Sequence, residues 1–351
     1  MRTTRVGAAV VVSALIAFSS LVPTGPANAA DSPATAGAPD GLAHTTLPVL
    51  VNAAADLTAK SDRPNESWYV VAHVTAGGHR YGFFVHYLTN AMGAGSAVSI
   101  TDETTSWYTR SEVKLPSRGG ISGAPGVDIH TENITWTGDA TQMKLQAKVP
   151  EGQIDVTFRP RGQVLYNLGT GYFPMFGEAA YPNYEYAFPS MATSGTLTLN
   201  GRAERLSGQS WLDHQWGPLP NLASPKAGAG WTWMDLNLSN GDKISLWDMR
   251  YNTEHTWGTI VSPDGTHTIA PATITPDASS VWTSPTTGAR YPTRFKVTIP
   301  GQHAELHVTV TTKDQELVAA GSRYEGSATV TGTYEGRRVT GYTYVEQVGV
   351  R

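Results

Sequence analysis

The fold is decided by the stretch Gly208-Gln209-Ser210-Trp211-Leu212-Asp213-His214-Gln215-Trp216-Gly217-Pro218. It is typical of a β-strand that ends at a Gly-Pro break, and it places an acid, an imidazole and two indoles within six residues. Aromatic rings around a carboxyl suit a mostly apolar pocket that offers an apolar substrate one proton donor. The structural alternative is a β core of stacked tryptophans, with the acid and the imidazole hydrogen-bonded at strand ends.

The sequence Gly230-Trp231-Thr232-Trp233-Met234-Asp235-Leu236-Asn237-Leu238 repeats the theme of tryptophans beside an acid. Alternate side chains of a strand share a face. We therefore expect Trp231, Trp233 and Asp235 to lie together on a face that lines a ligand, opposite an aliphatic face.

The same alternation applies to the first stretch. It places Trp211 and Asp213 on one face, and His214 and Trp216 on the other. Asp213 and His214 should therefore line one cavity only if the strand bulges, for which the Gly217-Pro218 break is a suitable place.

Short β-branched and aromatic runs separated by Gly, Pro, Asn or Asp occur along nearly the whole chain. Hairpin signals such as Ser239-Asn240-Gly241-Asp242 join several of them. Only residues 47–58 have a helical pattern, and residues 167–189 predict a long, aromatic-rich ordered loop. The pattern predicts an all-β fold of antiparallel barrels or sandwiches.

The N-terminus has the pattern of a secretory signal peptide at residues 1–29, with Arg2 and Arg5 before an apolar run and a small-x-small cleavage site at Ala27-Asn28-Ala29. Residues 30–43 predict a flexible leader, followed by two β domains at 44–202 and 203–351. The apolar run is too short for a membrane span, so we expect a secreted protein that has no membrane-spanning segment.

Charge and composition exclude several function classes. The formal net charge of −4, less the two positive charges of Arg2 and Arg5, gives −6 for the mature chain. Without a basic stripe, nucleic acid is not an expected partner. Cysteine is absent, so neither disulfides nor thiolate chemistry occurs. His303, Glu305 and His307 predict an exposed polar strand face rather than a metal site, and we expect no metal or other cofactor.

Three motifs in order resemble the carotenoid 1,2-hydratase (hydroxyneurosporene synthase) family, which includes kievitone hydratase and the AttH-like proteins. They are the central 213–217 motif with 230–233, the opening Glu66-Ser67-Trp68-Tyr69 with Gly82-Phe83-Phe84, and the closing 324–332 with 341–346. The resemblance spans residues 64–349. It implies two lipocalin-like (calycin-like) β domains, a pocket in or between them, and no cofactor.

The leading hypothesis is a hydratase or cyclase that protonates an apolar, alkene-bearing isoprenoid or polyketide-like molecule. Asp213 is the first candidate donor and Asp235 the second, because burial among indoles raises an Asp pKa. His214 would orient the carboxyl or hold water. The candidate substrate-binding residues are Trp211, Trp216, Trp231, Trp233, Tyr69 and Glu325.

Two alternatives remain open at this point. One is a pericyclase that folds a polyene for an intramolecular cycloaddition of the Diels-Alder type. The other is a secreted lipophile-binding protein without catalysis. In each case we expect a monomer whose partner is an apolar small molecule.

Overall fold

The computed structural model describes residues 43–44, 48–220, 229–319 and 322–349. The predicted signal peptide at 1–29 and the predicted leader up to residue 42 lie outside the described residues. At the end of the predicted leader, strand β1 (Ala43–His44) pairs with a strand near residue 268.

The first sheet is built from twelve antiparallel strands. They are β2 (Asn65–Ala76), β3 (His79–Asn90), β4 (Ala94–Asp102), β5 (Trp107–Leu115), β6 (Val127–His130), β7 (Ile134–Gly138), β8 (Met143–Val149), β9 (Gly152–Pro160), β10 (Leu165–Tyr166), β11 (Tyr172–Pro174), β12 (Pro182–Leu199) and β13 (Arg202–Trp216). Their order is β5-β4-β3-β2-β13-β12-β9-β8-β7-β6, with β10 and β11 beside β12. The sheet curls so that β4 and β5 approach β8, which makes it barrel-like.

The second sheet has eleven strands. Besides β1 they are β14 (Gly230–Leu238), β15 (Lys243–Arg250), β16 (Glu254–Val261), β17 (His267–Pro271), β18 (Thr273–Pro276), β21 (Arg294–Ile299), β22 (Ala304–Val310), β23 (Glu316–Leu317), β24 (Arg323–Tyr334) and β25 (Arg337–Val348). Their order is β1-β17-β16-β15-β14-β25-β24-β22-β21-β18, with β23 beside β24, and β19 (Val281–Thr283) pairs separately with β20 (Arg290–Pro292).

Helix is confined to single turns in the described residues: α1 (Ala53–Asp56) and three 3-10 turns, Asn167–Gly169, Met175–Gly177 and Pro300–Gln302. The all-β, two-barrel prediction is confirmed. The helical pattern at 47–58 yields only α1, whose first turn is capped by the Asn52 side chain. No described helix has the length and apolarity that crossing a membrane requires.

Two predicted boundaries differ from the structure. The predicted domain boundary after residue 202 would cut the hairpin of β12 and β13, because β13 pairs along its whole length in the first sheet, with β12 and β2. The change of sheet falls between Trp216 and Gly230. The predicted loop at 167–189 is shorter than expected, since β12 begins at Pro182.

Three clusters of buried apolar side chains organise the molecule. Two of them fill the two barrels. The third, here called the interface cluster, lies between the outer faces of the two sheets and includes Tyr69, Trp211, Trp233, Trp247 and Tyr344. Met234 and Leu236 belong to the second barrel's interior, whereas Trp231 and Trp233 belong to the interface cluster. The predicted two faces of β14 are therefore confirmed.

Close approach and polar contacts hold the two barrels together. A Cβ on Gly82 of the first sheet would lie 2.7 Å from both Ser327 Cβ and Tyr344 Oη of the second, so only glycine fits there. Glu112 accepts hydrogen bonds from the backbone N–H groups of Val318 and Ala319, at 3.0 and 2.8 Å. The barrels thus form one packed unit with a buried boundary.

Candidate active site between the two barrels

The interface cluster contains five buried carboxyl groups among its aromatic rings. Strand alternation and register bring them there, since each lies on the face of its strand that meets the other sheet. They are Glu185 of β12, Asp213 of β13, Asp235 of β14, Glu325 of β24 and Glu346 of β25. Buried carboxyls without matching cations raise one another's pKa, and such groups concentrate at functional sites.

Asp213 lies three residues before the end of β13, between Tyr69 of β2 and Ala187 of β12. Trp211, two residues earlier on the same face, donates from Nε1 to Asp213 Oδ1 at 2.6 Å. This contact leaves Oδ2 as the oxygen that can carry and donate an acid proton.

The surroundings of Asp213 favour its protonated form. Burial raises its pKa well above the ordinary value, and the nearby carboxyl of Glu185 raises it further. The Trp211 hydrogen bond acts in the opposite direction, and Asp235 and Glu346 add smaller upward contributions. A raised pKa is the property that a carboxyl proton donor needs.

Glu185 is the neighbour that acts most strongly on Asp213. Burial raises the pKa of Glu185 to about 8, although its contacts with Asn167 and Trp247 act to lower it. Its Oε2 accepts from Asn167 Nδ2 at 3.4 Å, while its Oε1 is buried without a hydrogen-bond partner. Glu185 is thus a second neutral acid beside the first.

Asp235, the second candidate donor, is held by the backbone. It accepts hydrogen bonds from the Tyr344 N–H at 2.5 Å, from Thr343 Oγ1 at 3.2 Å and from Asn237 Nδ2 at 3.0 Å. Burial raises its pKa to about 6, against these hydrogen bonds and the charge of His73. Its oxygens are engaged in joining β14 to β25, so it is a weaker candidate than Asp213.

Glu325 and Glu346 lie directly opposite one another on β24 and β25. Tyr69 of the first sheet donates from its hydroxyl to Glu325 Oε2 at 2.7 Å, and Trp231 donates from Nε1 to Glu346 Oε2 at 2.9 Å. Arg323 Nε lies 3.3 Å from Glu325 Oε1. Tyr69 and Glu325, both predicted substrate-binding residues, therefore meet across the interface.

His86 and Ser67 form a pair whose tautomer can be assigned. Arg323 donates from a guanidinium NH2 group to His86 Nδ1 at 2.8 Å, so that nitrogen is an acceptor and the ring proton lies on Nε2. Nε2 then donates to Ser67 Oγ at 2.7 Å. An activated serine needs the opposite arrangement, so Ser67 is not a nucleophile of the Ser-His type. Burial, with the charge of Arg323, lowers the pKa of His86 well below its ordinary value.

The tryptophans of the two central strands form the apolar part of the site. Trp233 contacts Tyr69 and Trp211 edge to face, with ring centroids 5.3 and 6.2 Å apart. Trp231 is half-buried at the rim, where it also carries the hydrogen bond to Glu346. Trp211, Trp231 and Trp233 thus lie together with Asp213, as the strand alternation predicts.

His214 and Trp216 lie on the other face of β13, and no bulge turns either of them toward Asp213. His214 stacks on Trp68 at 4.5 Å inside the first barrel, with Nε2 3.3 Å from Glu66 Oε1. Arg63 lies over the Trp216 ring at 3.7 Å and donates to Glu66 Oε1 at 2.6 Å. This network ties the chain around α1 to the barrel and does not reach the interface cluster.

Sequence reasoning missed Glu185, Glu346, His86 and Arg323 as members of the site. Glu346 ends the closing motif that carried the resemblance, and Glu185 lies in an aromatic Tyr184-Glu185-Tyr186 run. Those local signals were available, but the contacts that unite these residues depend on pairing across two sheets. Among the described residues, no group of three His, Cys, Asp or Glu side chains could hold a metal ion.

A family model described as AttH-like matches residues 45–350, which is nearly all of the chain after its first 44 residues. The chain belongs to the AttH-like family. The resemblance recognised in the sequence motifs is thereby confirmed, and with it the two-barrel fold.

Two curated proteins are similar to this AttH-like chain. Kievitone hydratase of Fusarium solani subsp. phaseoli is 25% identical over 296 residues, covering 80% of this chain and 82% of that protein. The dehydratase asqC of Emericella nidulans is 26% identical over 323 residues, covering 84% and 88%. One is named for adding water and the other for removing it.

A solved structure supports the same architecture. The crystal structure of kievitone hydratase from Nectria haematococca aligns with a TM-score of 0.75 at 25% identity, covering 85% of this chain and 92% of that one. The fold described here is therefore the fold of a hydratase relative.

Proposed function

We propose that this chain is a secreted hydro-lyase that adds water to, or removes it from, an apolar alkene-bearing small molecule, or cyclises it, without a cofactor. Asp213 is the proton donor and the interface cluster is the site. The observation that carries the proposal is the buried Asp213 carboxyl, hydrogen-bonded through one oxygen to Trp211 and facing the indoles of the second barrel.

The chemistry follows from a neutral acid among aromatic rings. Protonation of an alkene breaks the O–H bond of Asp213 and forms a C–H bond, leaving a tertiary carbocation that indole faces stabilise. Water then completes hydration, whereas an internal double bond would complete a cyclisation. The reverse sequence removes water. Support comes from the relatives named hydratase and dehydratase.

Exposure distinguishes the acids that a substrate can meet. Asp213 and Glu346 each keep 8% of their surface exposed, whereas Glu185, Asp235 and Glu325 keep 1% or less. The half-buried side chains Trp231, Leu219 and Tyr181 pack against the interface cluster and form its rim. In this proposal a substrate enters past that rim and meets Asp213 first.

A second candidate function, lipophile binding without chemistry, is favoured by a cavity elsewhere. A cavity of about 730 Å³ lies at the α1 end of the first barrel, and its lining includes Val49, Leu50, Tyr166 and Phe188. Its one carboxyl, Asp56, is an unsuitable donor. Although burial raises the pKa of Asp56, hydrogen bonds from Lys60 and Asn52 and the charges of Lys60 and Arg63 lower it overall.

The experiment incubates the mature protein in ¹⁸O-labelled water with a panel of prenylated aromatic compounds, linear isoprenoids and polyenes. Hydration places label in a product alcohol, and dehydration is followed from the alcohol as loss of water. Binding of a panel member without any turnover would favour the carrier. An unlabelled isomer of the substrate whose formation survives Asp213→Asn would favour a pericyclase.

A further inference from the structure

The second barrel carries a carboxyl pair that the proposed protonation by Asp213 does not use. We propose that Glu325 and Glu346 share one proton and that Glu346 is the base that takes a proton from the attacking water. The inference rests on the proposed function. It assigns the second proton transfer of that reaction to the face of the second sheet.

Register places the two carboxyls together. Glu325 and Glu346 are direct cross-strand partners of β24 and β25, so their side chains leave the sheet side by side on the face that meets the first barrel. Glu346 is also opposite Trp233 of β14, in the centre of the aromatic wall. Two negative charges on directly opposite, buried carboxyls repel each other strongly, so in this proposal the pair holds one proton.

The partners of each residue decide where the shared proton lies. Glu325 is fully buried, and its Oε1 has no hydrogen-bond partner although Arg323 Nε lies 3.3 Å away. Glu346 accepts the Trp231 N–H and keeps some exposure. Burial raises the pKa of both groups. The charge of Glu346 raises that of Glu325 further, whereas the charge of Arg323 and the Trp231 hydrogen bond act to lower that of Glu346. Glu325 therefore keeps the proton and Glu346 is the carboxylate.

Arg323 supplies the charge that this arrangement needs. It is held by neutral His86 on one side and lies beside Glu325 on the other, so one cation balances one carboxylate in the pair. The two carboxyls that keep 8% exposure then have opposite roles: Asp213 of the first sheet is neutral and Glu346 of the second sheet is ionised.

The proton count closes over one turnover. The alkene takes the Asp213 proton, and the carbocation forms a C–O bond with water as one water O–H bond breaks and its proton passes to Glu346. The pair then holds two protons and Asp213 holds none. Return of one proton to Asp213 through solvent restores the starting protonation states of Asp213 and of the pair. In dehydration the protonated pair releases the hydroxyl as water, and the Asp213 carboxylate takes the C–H proton.

The first arm of the test needs no substrate. The protein is labelled with ¹³C at the Glu carboxyl carbon, and the NMR signals of Glu325 and Glu346 are assigned with Glu325→Gln and Glu346→Gln. We expect Glu325 to stay protonated at pH 7 in the wild type, and its pKa to fall by about one unit or more in Glu346→Gln, because the like charge is removed. Glu316→Gln is the matched control, since Glu316 is equally buried in the same barrel but bonded to Ser284, Thr287 and Tyr291. An unchanged Glu325 titration in Glu346→Gln overturns the shared proton.

The second arm measures the pH–rate profile with a substrate found in the labelled-water panel. We expect Glu346→Gln to lower kcat by roughly 10²–10⁴ and to remove the acidic limb of the profile, where protonation of the base slows the wild type, while Glu346→Asp retains that limb. Full activity of a folded Glu346→Gln protein with that limb intact overturns the role of Glu346. Wild-type protein without turnover on the panel would instead count against the proposed function, and the NMR arm still decides the shared proton.

Discussion

The indole of Trp211 donates a hydrogen bond to the carboxyl of Asp213, two residues further along the same strand, with 2.6 Å between Nε1 and Oδ1. Side chains two apart on a strand lie on one face, so the contact fixes which way the carboxyl points. It points out of the first barrel and into the interface cluster, where burial and Glu185 raise its pKa.

Asp213→Asn should abolish most of the turnover without unfolding the protein. The amide keeps the acceptor for Trp211 but has no acidic proton, so we expect kcat to fall by roughly 10²–10⁴ with little change in ligand affinity. Asp235→Asn is the comparison, and we expect it to change kcat less than about tenfold. Loss of activity in Asp235→Asn alone would identify Asp235 as the donor instead.

Trp233→Ala should mainly lower stability. The side chain keeps only 1% exposure and packs against Tyr69 and Trp211, so we expect the free energy of unfolding to fall by about 3–5 kcal/mol. Trp231→Ala, at the half-buried rim, should cost less stability and weaken the binding of an apolar ligand. Urea unfolding and ligand titration of the two variants separate these effects, and equal loss of stability in both would contradict the assignment of Trp231 to the rim.

Glu185 should make the protein less stable as pH rises. The pKa of Glu185 is raised by burial from 4.5 to about 8, so the folded state binds more protons than the unfolded state between these values. The stability contributed by the neutral acid is complete below about pH 4.5 and is lost as pH rises through about 8. Glu185→Gln should therefore gain stability relative to the wild type at pH 8 and not at pH 4. A difference in the free energy of unfolding between the two proteins that does not change with pH would contradict the raised pKa of Glu185.

His214 should act on stability with the opposite sign. Burial lowers the pKa of His214 to about 4, against its contacts with Glu66, so the unfolded state binds more protons below the ordinary value of 6.5. Its contribution is present above pH 6.5 and is lost as pH falls toward 4. We expect His214→Gln to lose stability at pH 7 and to show a smaller acid-induced loss than the wild type. A folded His214→Gln protein with a changed pH–rate profile would show instead that His214 takes part in the reaction.

Local patterns predicted the parts of this site that lie within single strands. The alternation in 230–238 gave the correct strand bounds and the correct faces for Trp231 and Met234. The separation of Asp213 from His214 followed from the same rule, because β13 is regular there. In both cases the residues lie on one strand, and their orientation follows from the alternation of side chains along that strand.

Contacts between strands distant in the chain were not predictable in this way. Tyr69 donates to Glu325 across 256 residues of sequence, and Glu346 lies opposite Glu325 only because the last hairpin adopts one register. The boundary after residue 202 was misplaced for a related reason: nothing local shows that β13 pairs with β2 as well as β12. The sequence shows where the acidic residues are, but the pairing register of the strands decides which of them lie close together.

The protonation state of Asp213 tests the account most directly, and it can be measured without a substrate. The protein is labelled with ¹³C at the Asp carboxyl carbon, the Asp213 signal is assigned by its loss in Asp213→Asn, and it is followed by NMR as pH rises. Since burial and Glu185 hold the pKa of Asp213 well above its ordinary value, we predict a protonated carboxyl at pH 7. A signal that titrates near the ordinary Asp pKa of about 3.9 would show a carboxylate at neutral pH, with no proton to give, and would contradict the account.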